Sequence, residues 1–144
     1  MKKELKVQLD GNLENQSLAR SIAAAFVSEA DPTVEEITEI KTAVSEAFSN
    51  SCVHGYNNQG GTVWMEFAFT SSDMVMIKVI DKGVGIENIA KAMEPLYTTD
   101  VGQNRSGMGF TVMESFMDRI KVDSKLGEGT SVTMVKKLDT YYGI

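Results

Sequence analysis

The sequence predicts an α+β fold, a two-layer sandwich in which helices cover one face of a mostly antiparallel sheet. Three observations predict it. Strand-like alternation appears near the start, in the middle and at the end of the chain; two stretches of helical periodicity follow the first strand; and the order runs strand, helix, helix, strands, loop, helix, strands. The 144 residues suit a single domain over 1–144. At this length folding buries roughly 68–70% of the unfolded chain's surface, enough for a self-sufficient core.

Leu5 to Leu9 alternates Leu5, Val7 and Leu9 with Lys6 and Gln8, the pattern of a half-buried strand. Asn12 to Ala30 sets Leu18, Ile22, Ala25 and Phe26 on one helical face, which leaves Arg20 off the stripe and exposed. Asp31-Pro32-Thr33 breaks the chain. Thr33 and Glu36 have the spacing of a capping box, so a second helix starts there. Its stripe is Val34, Ile37, Ile40, Val44, Ala47 and Phe48, and it runs to about Val53 and stops before Gly55.

Thr62 to Thr70 carries Val63, Met65, Phe67 and Phe69 on one face. Ser71-Ser72-Asp73 turns the chain, and Met74 to Ile80 carries Val75, Ile77 and Val79, which together predict a hairpin. Asp81 to Gly107 is rich in turn residues, with a short helix over Asn88 to Met93 and a mobile loop over Glu94 to Ser106. Gly109 to Arg119 reads as helix with Val112, Met113, Phe116 and Met117 inward. Ile120 to Val122 reads as a short strand, and a last strand, Thr130 to Leu138, follows a Gly127-Glu128-Gly129 turn.

Composition excludes several classes. A net charge of −6 argues against a direct grip on nucleic acid, which needs clustered Lys and Arg, and leaves room for a basic protein partner. The lone Cys52 permits no disulfide and no zinc array, and reads as a small apolar filler. No run approaches the ~18 apolar residues of a membrane span. Met1-Lys-Lys-Glu-Leu lacks the apolar region of a signal peptide, and a cytoplasmic protein is expected. The one histidine, His54, reads as structural or pocket-lining. The methionines read as core fillers.

Three features carry chemistry. Glu46 and Asn50, four residues apart, share one helix face. A carboxylate and an amide oxygen form a hard-oxygen pair suited to Mg²⁺ or to a positioned water; taken alone the pair says little, because a solvated helix face explains most such pairs. Asp81-Lys82-Gly83-Val84-Gly85 follows a strand, where the glycines allow a sharp turn and close ligand approach, and Asp81 can accept from an exocyclic amine such as that of adenine. An ordinary β-turn is the plain alternative. Arg105-Ser106-Gly107-Met108-Gly109 opens a helix, where free N–H groups make an anion site and Arg105 can reach a terminal phosphate. A Gly-rich connector is the alternative there. Thr130, after the Gly127-Glu128-Gly129 turn, can bond back toward Asp81 and a base, or simply begin a strand. The chain has neither a Gly-x-x-x-x-Gly-Lys-Ser/Thr loop nor a His-Arg-Asp and Asp-Phe-Gly pair, which disfavours the P-loop and eukaryotic-type kinase architectures.

The ordered set Glu46/Asn50, Asp81/Gly83/Gly85, Gly107/Gly109 and Gly127/Gly129/Thr130 resembles the Bergerat ATP-binding fold of gyrase, MutL and histidine kinases. Glu39 to Ala47, His54-Gly55-Tyr56, Pro95-Leu96-Tyr97-Thr98-Thr99 and Arg105 to Asp118 are similar to the anti-sigma F factors of spore-forming bacteria, and this likeness covers nearly the whole chain. The resemblance implies a homodimeric, ATP-dependent serine protein kinase that phosphorylates an anti-anti-sigma factor and, with ATP bound, holds a sporulation sigma factor, with no direct contact to nucleic acid or membrane. By that resemblance Asn50 coordinates Mg²⁺, Asp81 binds the adenine amino group and Glu46 is the general base. Gly83, Gly85, Thr98, Thr99, Ser106, Gly107, Met108, Gly109 and Thr130 shape the ATP/ADP pocket. Ala92 to Ser106 is the ATP lid, Arg105 its phosphate-side residue, and Arg20 a docking residue for the sigma factor. Three other readings compete: a binding module with ATP as structural effector, a general-stress type switch kinase for another sigma factor, and a detached ATPase domain of a sensor kinase.

Overall fold

The computed structural model describes residues 3–94 and 109–139. In chain order these form β1 (Glu4–Asp10), α1 (Gln16–Val27), α2 (Val34–Asn50), β2 (Thr62–Phe69), β3 (Met74–Asp81), α3 (Ile89–Ala92), α4 (Gly109–Phe116), β4 (Arg119–Lys125) and β5 (Gly129–Lys137). The strands make one antiparallel sheet in the order β1-β2-β3-β5-β4, with α1, α2 and α4 packed over one face. This is the α+β sandwich that the patterning predicts.

The hairpin forms as its alternation requires. Val63, Met65 and Phe67 of β2 stand opposite Asp81, Val79 and Ile77 of β3, so one face of the pair is a continuous apolar row that ends on a carboxylate. With Val132 and Met134 of β5 this row makes the floor of the core. The helices bring small buried side chains to the layer above: Ala19 and Ala23 from α1, Ala43 and Ala47 from α2. Phe26 closes the layers, its ring stacked on Phe69 at 5.1 Å and tilted against Phe67 at 5.5 Å between centroids.

Two apolar stripes sit differently from the sequence reading. In α1 the buried residues are Ala19, Ala23, Phe26 and Val27, whereas Leu18 is 47% exposed and Ala25 is exposed. The buried face is turned toward the alanines because small residues let two packed helices approach. Arg20, beside Ala19, is consequently half-buried rather than exposed. Val34, the first residue of α2, is 83% exposed because it projects beyond the body of the domain.

Element ends also differ. The first helical stretch divides into a 3₁₀ turn at Leu13–Asn15, α1, and a second 3₁₀ turn at Ser28–Ala30. The capping box is present: Glu36 N–H donates to Thr33 Oγ1 at 3.0 Å and Thr33 N–H donates to Glu36 Oε1 at 2.8 Å. Glu36 Oε2 also accepts from Asp139 N–H at 2.6 Å, joining the start of α2 to the end of the sheet. α4 stops at Phe116 rather than Arg119. β4 extends over Arg119–Lys125, beyond the short strand predicted, because it pairs with β5 along its whole length.

Replacing Thr33 by Ala removes one half of the capping box. Urea unfolding of Thr33→Ala is expected to show a loss of about 1 kcal/mol with an unchanged slope.

Candidate functional site

Residues 51–55 widen α2 at its end. After Asn50 the helix continues as a π turn, Ser51–Gly55, a feature often found at functional sites. The turn carries Ser51 to the end of β3, where its Oγ donates to Asp81 Oδ2 at 2.8 Å. Gly83 N–H donates to Asp81 Oδ1 at 2.9 Å. No side chain fits at Gly83, because a Cβ there would fall on the Gly55 carbonyl group. That same carbonyl accepts from Val84 N–H at 2.9 Å. Tyr56 completes the clamp: its hydroxyl accepts from Lys82 N–H at 2.8 Å and donates to the Thr62 carbonyl.

The opposite wall comes from β4 and β5. Thr130 pairs with Asp81 across the sheet. Its hydroxyl meets Ser124 Oγ at 2.7 Å, and Ser124 Oγ also donates to the Gly129 carbonyl at 3.0 Å and accepts from Ile86 N–H at 2.8 Å. Gly129, with φ of 106°, lies where a side chain would strike the Asp81 carbonyl. At the far end of the cleft, an added Cβ on Gly109, the first residue of α4, would come 3.0 Å from Asn50 Nδ2.

Between these walls lies a cleft of about 690 Å³, within the range of small-molecule and cofactor sites. Glu46, Asn50, Asp81, Gly85, Gly109 and Thr130 all line it, as does His54. Gly83 holds the Asp81 carboxylate from behind. Arg20 lies on α1, away from the cleft lining. Thr98, Thr99, Arg105, Ser106, Gly107 and Met108, together with most of the expected lid, lie outside the described residues. Sequence reasoning missed Ser51, Gly55, Tyr56 and Ser124. Ser51 directly follows Asn50, but only the π turn brings it to Asp81. The Gly55–Gly83 approach left a signal in the two glycines but none that paired them.

The electrostatics single out Asp81. It is 5% exposed and, among the described residues, has no ion-pair partner. Burial pushes its carboxyl above the usual carboxylate range, against the opposing pull of the Gly83 N–H, the Ser51 hydroxyl and the Thr130 backbone. A buried carboxylate held by the Ser51 hydroxyl and the Gly83 N–H on the wall of a cleft can accept a ligand's N–H group.

The chemistry of the cleft fits a nucleotide and a bound Mg²⁺. Asp81 offers a rigid acceptor to a base. Asn50 lines the cleft and carries one amide oxygen that can serve as a ligand, and Mg²⁺ commonly takes few protein ligands and completes its shell with water and phosphate oxygens. A helix-backed antiparallel sheet with this acid-and-glycine cleft defines a domain of the Bergerat ATP-binding class.

The comparisons with known proteins agree. Residues 9–136 match the family described as histidine kinase-like ATPase domain. The chain is 51% identical over 137 residues to the anti-sigma F factor of Clostridium acetobutylicum, covering 95% of each chain. It is 53% identical over 123 residues to that of Thermoanaerobacter sp., covering 85% of each. It is 46% identical over 138 residues to that of Geobacillus thermodenitrificans, covering 96% of this chain and 94% of that one. Among solved structures, that of the RsbU and RsbW domains of Rv1364c from Mycobacterium tuberculosis superposes with a TM-score of 0.67 at 21% identity, over 94% of this chain and 32% of that one. The mycobacterial sensor histidine kinase MprB superposes with a TM-score of 0.59 at 14% identity, over 93% of this chain and 98% of that one. The chain belongs to the histidine kinase-like ATPase family and, within it, to the anti-sigma F factors.

Asp81 makes a pH prediction for the ligand-free protein. Its folded-state pKa is raised, so the folded state holds the proton to higher pH than the unfolded state does. Its contribution to stability is therefore lost as pH rises from about 4 through the folded value. In urea unfolding of wild type and Asp81→Asn, wild-type stability relative to the variant is expected to fall as pH rises above about 4. A constant difference contradicts the assignment.

Proposed function

We propose that this protein is an anti-sigma factor that binds and inhibits the sporulation sigma factor F and is also an ATP-dependent serine protein kinase acting on its anti-anti-sigma factor. The observation that carries the enzymatic part is the presence of Glu46 on the same cleft as Asn50 and Asp81. A pure nucleotide binder has no use for a second carboxylate near the metal-side amide, whereas a kinase needs a base there. The names of the relatives, anti-sigma F factor at 46–53% identity, support the sigma-binding part.

In this reading residues 1–144 form one kinase domain, which works as a cytoplasmic homodimer without direct contact to nucleic acid. Among the described residues no helix is long and apolar enough to cross a membrane. Asp81 accepts the adenine amino group, with Ser51 and the Gly83 N–H fixing its carboxylate. Gly85, Gly109 and Thr130 line the cleft and, with Gly83, Thr98, Thr99, Ser106, Gly107 and Met108, are proposed to shape the ATP/ADP pocket. Asn50 is the Mg²⁺ ligand, and the ion neutralises phosphate charge when bound. Arg105 supplies a further positive charge to the γ-phosphate, and Arg20 on α1 belongs to the sigma-docking face. The substrate serine Oγ bonds to the γ-phosphorus as the bond to the β–γ bridging oxygen breaks. ADP leaves, and Glu46 takes the serine proton.

Single-turnover transfer of labelled phosphate from ATP with Mg²⁺ to the anti-anti-sigma protein tests this. Wild type is expected to label a serine of the partner. Glu46→Ala is expected to transfer about 10²–10⁴-fold more slowly with ATP still bound. ATP binding without transfer by wild type would remove the kinase reading and leave a binding module.

A further inference from the structure

Lys136 is a lysine in a core-facing row. It follows Val132 and Met134 on the inward face of β5 and is 8% exposed. An ammonium group in such a position is costly unless it is fully partnered. Its Nζ has two partners, from two other elements: it donates to the Phe116 carbonyl at 2.6 Å and pairs with Glu39 Oε1 at 3.1 Å. Phe116 is the last residue of α4 and Glu39 lies in the first half of α2. Lys136 thus satisfies one of the orphan carbonyls at the end of α4, places a cation at its negative pole, and ties that end to α2.

The neighbouring backbone strengthens the tie. Asp118, just past α4, donates its N–H to the Val135 carbonyl at 2.9 Å and accepts from Lys137 N–H through Oδ2 at 2.6 Å. α4 is therefore held by β5 at its exit, while at its entry Gly109 lies against the Asn50 side chain. α4 is eight residues, about 12 Å long. A helix this short transmits a tilt at its exit directly to its entry.

We infer that Lys136 is a positioning residue for the phosphate end of the cleft. It sets the angle of α4 against α2, and with it the distance between the first N–H groups of α4 and Asn50. It leaves the base end untouched, because Ser51, Gly55, Asp81 and Gly83 are fixed to one another by their own hydrogen bonds and contacts. This inference rests on the reading of the cleft as a nucleotide site.

The test is competition binding of ATP, ADP and adenosine to the intact protein, wild type against Lys136→Met, which keeps the apolar stem and removes the charge. Affinity for ATP and ADP is expected to fall roughly tenfold, and affinity for adenosine to stay within about twofold. A merely structural role would weaken all three in proportion, and that result, or no change in any of them, overturns the inference. If Lys136→Met does not fold, Glu39→Gln is the milder probe, since it keeps an acceptor and removes the paired charge. It is expected to lower the ATP-to-adenosine affinity ratio in the same direction, and an unchanged ratio overturns the inference. A wild type that binds none of the three ligands would instead remove the nucleotide reading itself.

Discussion

The site depends on the contact between Gly83 and the carbonyl of Gly55. Two backbone segments meet there with no side chain between them, one leaving β3 and the other leaving α2. The contact brings the Ser51 hydroxyl and the Gly83 N–H onto the two oxygens of one carboxylate. It also lets Val84 N–H reach the Gly55 carbonyl at 2.9 Å. Any larger residue at Gly83 would force α2 away from the sheet and release Asp81. The constraint is backbone on backbone, so it is stiff, and stiffness is what a buried acceptor needs if it is to discriminate between ligands.

Around that contact the molecule divides into two regions with different mechanical character. The end proposed for the base is built from β3, β5 and the π turn, and its polar groups are satisfied within the protein; among the described residues no buried side-chain nitrogen or oxygen lacks a partner. The end proposed for the phosphates is built from the C-terminal part of α2 and the start of α4. Its geometry relies on how a short helix is held at its far end by Lys136, Glu39 and Asp118. A nucleotide in this cleft would therefore be recognised by a rigid region and have its phosphates placed by an adjustable one. That arrangement suits a protein whose behaviour changes with the state of the nucleotide.

Much of this was legible in the sequence where the signal is local. The alternation predicted the β2–β3 hairpin and its two apolar rows, Val63, Met65, Phe67 and Phe69 and Val75, Ile77 and Val79, because a period of two puts each row on one face; the register, with Val63 opposite Asp81, came with the structure. The capping box at Thr33 and Glu36 is likewise a three-residue signal. Local reading failed where packing between elements decides. Leu18 and Val34 fit a helical stripe by period, yet α1 turns its alanines inward and α2 begins outside the core. In the site, Glu46, Asn50, Asp81, Gly85 and Thr130 could be named from residue type and order. Ser51 and Tyr56 could not, since Ser51 reaches Asp81 across 30 residues and Tyr56 reaches Lys82 across 26, through a π turn that no periodicity announces. Thr130 was named as a residue that can bond back toward Asp81 or begin a strand; it pairs with Asp81 across the sheet, and its hydroxyl meets Ser124 Oγ.

The central claim is that a fixed, buried carboxylate selects the base. Adenine presents an amino donor where guanine presents a carbonyl acceptor, and a site built to accept a hydrogen bond rejects the ligand that cannot give it. The most direct test is calorimetric titration of the intact protein with ATP and with GTP, each with Mg²⁺. The account predicts binding of ATP and at least about 10²-fold weaker binding of GTP, with the preference lost in Asp81→Ala. Equal affinity for the two nucleotides, or a preference that survives in Asp81→Ala, would contradict it.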